Sequence, residues 1–269
     1  MYYRIADLTL STPFPLPTFS AFLCDPAEPD VILTYADEAE IPEGPDTKSG
    51  IIVHRKLDDG WFYHTYPDDR TGLLINKDYS RLCLVGEVCA RLRERERWFL
   101  RVALECRLVL HGYVSLHAAA VSLDNQAYVF SGPSQIGKST RAMSWINALQ
   151  GELVSGDRPL IHSDTLELFG VPWDGKENCC RNVHFPLKAI CEVRRSETSC
   201  YIRKMNFEQR RLLLMQQSFL PMWDNDTAVI QMRNIYHLAS KAEILRTFGG
   251  PGAEDAAALY NAINTENYL

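Results

Sequence analysis

Gly132-Pro133-Ser134-Gln135-Ile136-Gly137-Lys138-Ser139 is the stretch on which the reading of this chain turns. It satisfies G-x-x-x-x-G-K-[ST] at every fixed position. At average residue usage a chance match in a chain this long arises on the order of once in a hundred. Ala127–Phe130 ahead of it is an apolar, β-favouring run, and Ser139–Leu149 behind it suits a helix. The spacing therefore predicts strand, loop and helix in the order the motif needs. Glycines at 132 and 137 let the backbone wrap so that successive N–H groups converge on phosphate oxygens. A helix starting near Lys138 adds the positive end of its dipole. Lys138 would neutralise the β- and γ-phosphates of ATP or another nucleoside triphosphate, and Ser139 would offer its hydroxyl to Mg²⁺. The whole run from Gly132 through Thr140 is the predicted nucleotide-binding stretch.

Such a loop works with a second acid, and Asp157 is the candidate, as metal ligand or as acceptor of a substrate proton. It follows the strand-like Glu152–Ser155, and open α/β sheets bind ligands at the C-terminal ends of their strands. The alternative is an ordinary turn aspartate ahead of Pro159. Upstream, Val114–Leu123 and Ala127–Phe130 flank Asp124-Asn125-Gln126, which predicts an antiparallel hairpin feeding the loop. Most phosphate-loop proteins place that strand in a parallel βαβ sheet instead.

A hairpin entry followed so soon by an acid resembles the C-terminal domain of HPr kinase/phosphorylase and, more distantly, ATP-dependent phosphoenolpyruvate carboxykinase. Leu116-His117-Ala118-Ala119 is similar to a segment of HPr-kinase-like proteins, Ser131–Thr140 to their phosphate loop, and Leu153-Val154-Ser155-Gly156-Asp157-Arg158 to their paired-aspartate strand end. Phe169-Gly170-Val171-Pro172-Trp173-Asp174-Gly175-Lys176-Glu177 resembles a stretch of shorter bacterial relatives, and Phe185–Ile190 their next core strand. The likeness covers roughly residues 110–265. It implies phosphoryl transfer from a nucleotide to a hydroxyl with Mg²⁺, on a serine of a partner protein or small peptide, or on free serine. Carried over, Lys138 and Ser139 take the phosphate and metal roles, Asp157 an acid's role, and His117 a place near the phosphates. Family members commonly show two adjacent aspartates where this chain has Gly156-Asp157. Either Asp157 works alone, with Asp174 or Glu177 contributing, or the site binds nucleotide and transfers slowly.

The remaining candidates read more plainly. His117 positions phosphate or is a structural strand histidine. Asp174, Lys176 and Glu177 form a polar loop beside Trp173 that meets substrate or is a simple turn. His184 and His237 read as structural. The vicinal Cys179–Cys180 pair is redox-active, a soft-metal site, or two part-buried thiols. No Cys-x-x-Cys pair occurs among the eight cysteines, so reduced thiols in a cytoplasm are expected.

Residues 1–108 are expected to form a small β-rich domain ending in a linking helix. Ile51–Lys56 and Trp61–Tyr66 flank Asp58-Asp59-Gly60 as a hairpin, and a strand follows at Thr71–Asn76. Asp25 to Asp46 holds eight acids and no base, which reads as a solvated loop. Glu87 to His111 reads as helix, with its charge run at Arg91–Glu96 facing water. Helices are also expected near Phe207–Gln217 and Ala253–Asn264.

The formal charge of −6 divides unevenly: 13 basic and 18 acidic residues lie in 1–108, against 15 and 16 in 109–269. A pI near 5.7 argues against a nucleic-acid binder. Within the second part, Arg181–Arg211 carries eight basic and three acidic residues, a strip for phosphate or for solvent. Leu8–Cys24 is uncharged but interrupted by Pro13, Pro15 and Pro17, so neither a signal segment nor a membrane span is expected.

The expected architecture is α/β, a mixed-sheet phosphate-loop kinase domain at 109–269 behind the β-rich domain. The expected activity is ATP- and Mg²⁺-dependent transfer to a serine-type hydroxyl of a peptide or small-protein partner, with oligomerisation left open. A small-molecule kinase, a carboxykinase-like enzyme and a nucleotide-gated peptide-binding module are the alternatives.

Overall fold

Strand pairing in the computed structural model builds two mixed sheets, which with a few helices make a mixed α/β chain. Residues 1–36, 43–65, 68–86, 90–173, 179–196, 200–266 and 268 are described, with only the backbone described at 68–70 and 90–95. Two units result: Met1–His111 with Pro221–Thr227, and Gly112–Leu220 with Ala228–Leu269.

The first unit's strands are β1 (Tyr2–Ile5), β2 (Leu8–Ser11), β3 (Val31–Ala36), β4 (Asp46–Ser49), β5 (Ile52–Leu57), β6 (Gly60–Thr65), β7 (Asp68–Asn76) and β8 (Arg81–Val85). Their order is β1-β2-β3-β8-β7-β6-β5-β4. β3 runs parallel to both its neighbours, whereas the other pairs are antiparallel. The β5–β6 hairpin closes over Asp58-Asp59, with Leu57 paired to Gly60. Gly60 has φ +145°, and a Cβ there would lie 1.8 Å from the Ile75 carbonyl oxygen, so only glycine fits. The acidic stretch 25–46, expected as loop, contains β3. Its Val31 and Leu33 are fully buried in the sheet's interior, and these apolar alternate positions outweigh the flanking charge.

Helix α1 (Ala90–Leu110) buries Phe99, Ala103 and Cys106. The expected start at Glu87 and the side chains at 91–95 lie outside what is described. A buried polar cluster fills part of this unit. His54, 2% exposed, stacks on Trp223 at 3.7 Å and meets Tyr63 edge-on at 4.5 Å. Trp61 stacks on Tyr79, whose hydroxyl donates to Asp224 Oδ2 at 2.8 Å. Burial, aided by the charge of His64, drives His54 down to about 3, and burial pushes Tyr63, Tyr79 and Cys106 up. Each shift favours the neutral form, which is the cheaper form to bury.

The second unit holds β9 (Tyr113–Ser115), β10 (Ala118–Leu123), β11 (Gln126–Ser131), α2 (Lys138–Leu149), β12 (Glu152–Ser155), β13 (Leu160–His162), β14 (Glu167–Phe169), β15 (His184–Arg194), β16 (Tyr201–Lys204), α3 (Phe207–Gln217), the greater part of α4 (Asn225–Lys241), β17 (Ile244–Phe248) and α5 (Ala253–Asn264). The strand order is β12-β10-β11-β15-β14-β13-β9, with β17 between β15 and β16. The β10–β11 hairpin turns on Asp124 and Asn125, both at positive φ, as a two-residue turn between right-twisted strands requires.

β11, β15 and β17 form a parallel trio at the centre. Leu214, Ile235 and Leu238 of α3 and α4 cover one face, while Trp145 of α2 and Leu259 of α5 cover the other. α3 starts in a capping box: Gln209 N donates to Asn206 Oδ1 at 3.0 Å and Asn206 N to Gln209 Oε1 at 3.1 Å. Among the described residues no helix is long and apolar enough to cross a membrane.

Candidate nucleotide-binding site

The expected strand Val114–Leu123 is broken in two. After β9 the backbone leaves the ladder: Leu116 N donates to Pro159 O at 3.2 Å, and His117 N to Gln217 O at 2.8 Å. β10 then starts at Ala118. The break sets His117 beside the end of β11, where the Ser131 hydroxyl donates to the His117 carbonyl at 3.2 Å.

The glycine-rich loop runs from the C-terminal end of β11 into α2. Gly132 has φ +145°, Gln135 φ +63° and Gly137 φ +113°, and Gly137 is the N-cap of the helix that Lys138 begins. Three positive-φ residues in so short a span coil the backbone tightly, and two of them are the motif's glycines. Pro133, Ser134, Gln135 and Thr140 are exposed; Ile136, Gly137, Lys138 and Ser139 are half-buried. The Lys138 ammonium donates to the Gly132 and Pro133 carbonyls, both at 3.1 Å, and so lies across its own loop.

From outside, Arg195 Nη2 donates to Gln135 O at 2.7 Å and Nε to Ile136 O at 3.2 Å. Tying those carbonyls outward leaves the loop's N–H groups to turn the other way. Sequence reading gave Arg195 no role, although the basic strip 181–211 flagged its neighbourhood. That strip is otherwise divided. Arg181 pairs with Glu152, and Arg194 and Arg246 both hold the buried Glu192. Arg203 lies over Tyr201 and Phe248, and Arg211 pairs with Glu208.

Asp157 ends the turn after β12, with Ser155 Oγ donating to its carbonyl at 2.9 Å. Its carboxylate Oδ1 is buried and has no hydrogen-bond partner among the described residues. Burial lowers the pKa of Lys138 while the Asp157 charge works against that. Burial and then the Lys138 charge lower His117; Asp157 raises it, Arg158 lowers it, and a side-chain hydrogen bond to Gln217 raises it. Lys138, His117, Asp157 and Arg158 therefore lie within electrostatic reach at one end of the sheet. A free carboxylate oxygen and a hydroxyl in the first turn of α2 are hard oxygen donors of the kind Mg²⁺ takes, so Asp157 and Ser139 fit that ion. A bound Mg²⁺ would supply charge neutralisation between phosphate oxygens.

Other expected residues are less engaged. Asp174, Lys176 and Glu177 lie outside the described residues. Trp173 is 3% exposed and its indole donates to the Arg158 carbonyl at 3.4 Å, so it packs the turn and presents no face to a ligand. His184 stacks on Phe169 at 5.5 Å, and His237 lies 3.1 Å from Asp164 at the surface. Cys179 Sγ donates to Leu153 O and Cys180 Sγ to Pro172 O, so the vicinal thiols point at different carbonyls; both are free of disulfides.

No protein-family model and no curated protein matches this chain.

Proposed function

We propose that the second unit is an ATP- and Mg²⁺-dependent phosphotransferase, of HPr-kinase-like type, acting on a serine-type hydroxyl of a peptide or small protein. The observation that carries this reading is the Asp157 carboxylate, with Oδ1 buried and unpartnered among the described residues beside a lysine-bearing phosphate loop. An unmet buried acceptor costs about 1–3 kcal/mol and is retained where a ligand or a reaction uses it. Lys138 exchanges its two loop carbonyls for phosphate oxygens, the α2 N-terminus adds N–H donors, and Asp157 receives the acceptor's proton or holds the metal ion. Phosphoryl transfer rests mainly on positioning and charge neutralisation, so a single acid with Gly156 before it is sufficient.

A second reading, a nucleotide-gated binding module, is favoured by that Gly156, where related enzymes commonly have an acid. The test is transfer of labelled phosphate from Mg·ATP to serine-containing peptides and to free serine by the full chain. Phosphoserine is the expected product, and Lys138→Ala lowers its formation about a thousandfold. Tight binding of Mg·ATP with no transfer to any hydroxyl supports the binding module instead.

A further inference from the structure

Arg158 is held in an improbable way. Its φ of +54° is left-handed, a region that costs a non-glycine residue about 1 kcal/mol or more. The turn around it is stapled from two sides: its own carbonyl accepts the Trp173 indole N–H, and the next residue's carbonyl, on Pro159, accepts Leu116 N. The second staple belongs to the same backbone departure that positions His117. At the far end of the side chain, Nη1 is buried and has no hydrogen-bond partner among the described residues. The unmet Asp157 oxygen lies one residue earlier. The two sit on consecutive residues with opposite charge, and both act on the ring of His117, as does Lys138.

Lys138 is already engaged with its own loop. Arg158 thus brings to this end of the sheet a cation with an unmet buried donor. A planar fork of N–H groups matches two oxygens of one phosphoryl group, which a point charge such as an ammonium does not. We propose that Arg158 contacts the γ-phosphoryl group of the nucleotide and stabilises it as it transfers, an arginine supplied from within the chain. This deepens the phosphotransferase reading and rests on it. In the step, the acceptor hydroxyl oxygen forms the new P–O bond while the bond between γ-phosphorus and the β–γ bridging oxygen breaks. The electron pair leaves on the diphosphate, and the hydroxyl proton passes to the Asp157 carboxylate. Arg158 makes no covalent bond; it donates hydrogen bonds to oxygens whose charge it offsets.

The experiment is equilibrium binding of Mg·ATP and of Mg·ADP to the full chain, to Arg158→Ala and to Arg158→Lys, with thermal unfolding of each. A contact to the γ-phosphoryl group predicts that Arg158→Ala weakens Mg·ATP about tenfold or more, while Mg·ADP changes less than about twofold. Arg158→Lys should fall between, because it keeps the charge and loses the fork. If Arg158→Ala does not fold, the lysine variant alone decides by the same ATP-against-ADP ratio. Equal losses for the two nucleotides, or no loss for either, overturn the proposal and leave Arg158 a turn residue, with the phosphotransferase reading intact. A wild-type chain that binds neither nucleotide overturns that reading, and the role of Arg158 with it.

Discussion

The polar cluster around His54 in the first unit and the phosphate-loop end of the second are differently built. In the first, His54, Tyr63, Tyr79 and Cys106 are buried and pushed toward their neutral forms. In the second, Lys138, Asp157 and Arg158 are half-buried at strand ends, and two of them carry buried atoms that nothing satisfies. A polar group that has been neutralised has been made part of a core. An acid and a base on consecutive residues, each with an unmet buried atom among the described residues, are available to a ligand. That contrast is not one of residue type, since each unit has its own part-buried or buried histidine.

The contrast can be broken most directly at Asp157. Asp157→Asn should slow phosphoryl transfer about a hundredfold, yet raise the free energy of unfolding by about 1 kcal/mol, because an amide is easier to leave unmet than a carboxylate. Paired turnover and urea-unfolding measurements check both; a destabilised variant with normal turnover would put Asp157 among the structural groups.

The next effect belongs to His54. It folds neutral with its pKa near 3, against about 6.5 in an unfolded chain. Between those values the unfolded chain binds more protons. The contribution is therefore complete above about pH 6.5 and is lost as pH falls toward 3, by at most about 1.4 kcal/mol per pH unit. His54→Phe keeps a flat ring against Trp223. It should cut the stability difference between pH 7 and pH 5 by about 2 kcal/mol in denaturant titrations at the two pH values. An unchanged difference would mean that His54 is not held neutral.

The smallest expected effect is at Asn206, a polar residue of the second unit that has its partners. Asn206→Ala removes the capping box of α3 and should lower stability by about 1 kcal/mol, with Mg·ATP affinity unchanged in calorimetry. A loss of affinity would extend the charged site toward α3.

Legibility in the sequence followed the range of the interaction. α2, α3, α5 and β12 carry local signals and fall close to their expected bounds, as does the hairpin with the Asp-Asp-Gly turn, while the Asp-Asn turn joins β10 and β11 as expected. β1 to β3 were not legible as strands. They are short, and β3 finds its partner β8 across the whole of β4 to β7, a pairing with no local signature. α4 was hidden for a different reason. Its buried side carries Thr227, Gln231 and Asn234 beside Ile235 and Leu238, whereas Val229, Met232 and Tyr236 are exposed. Gln231 is buried because its amide donates to the Phe219 carbonyl at 3.0 Å. A hydrophobic-periodicity reading has no access to such a bond.

At the candidate site, the loop stood out because its motif is contiguous, and Asp157 because it follows the strand-like Glu152–Ser155. Arg195 and Arg158 were not assigned roles, since one reaches the loop from the far end of β15 and the other is distinguished by a backbone angle.

The stretch Pro221–Thr227 belongs to the first unit and supplies Trp223 and Asp224 to its polar core. During synthesis the chain emerges in order, so the first unit must wait, its His54 ring uncovered, until nearly all of the second unit's strands have left the ribosome. A fragment ending at residue 111 would reproduce that waiting state permanently. The unit that begins first is therefore finished late, only after most of the second unit has been made.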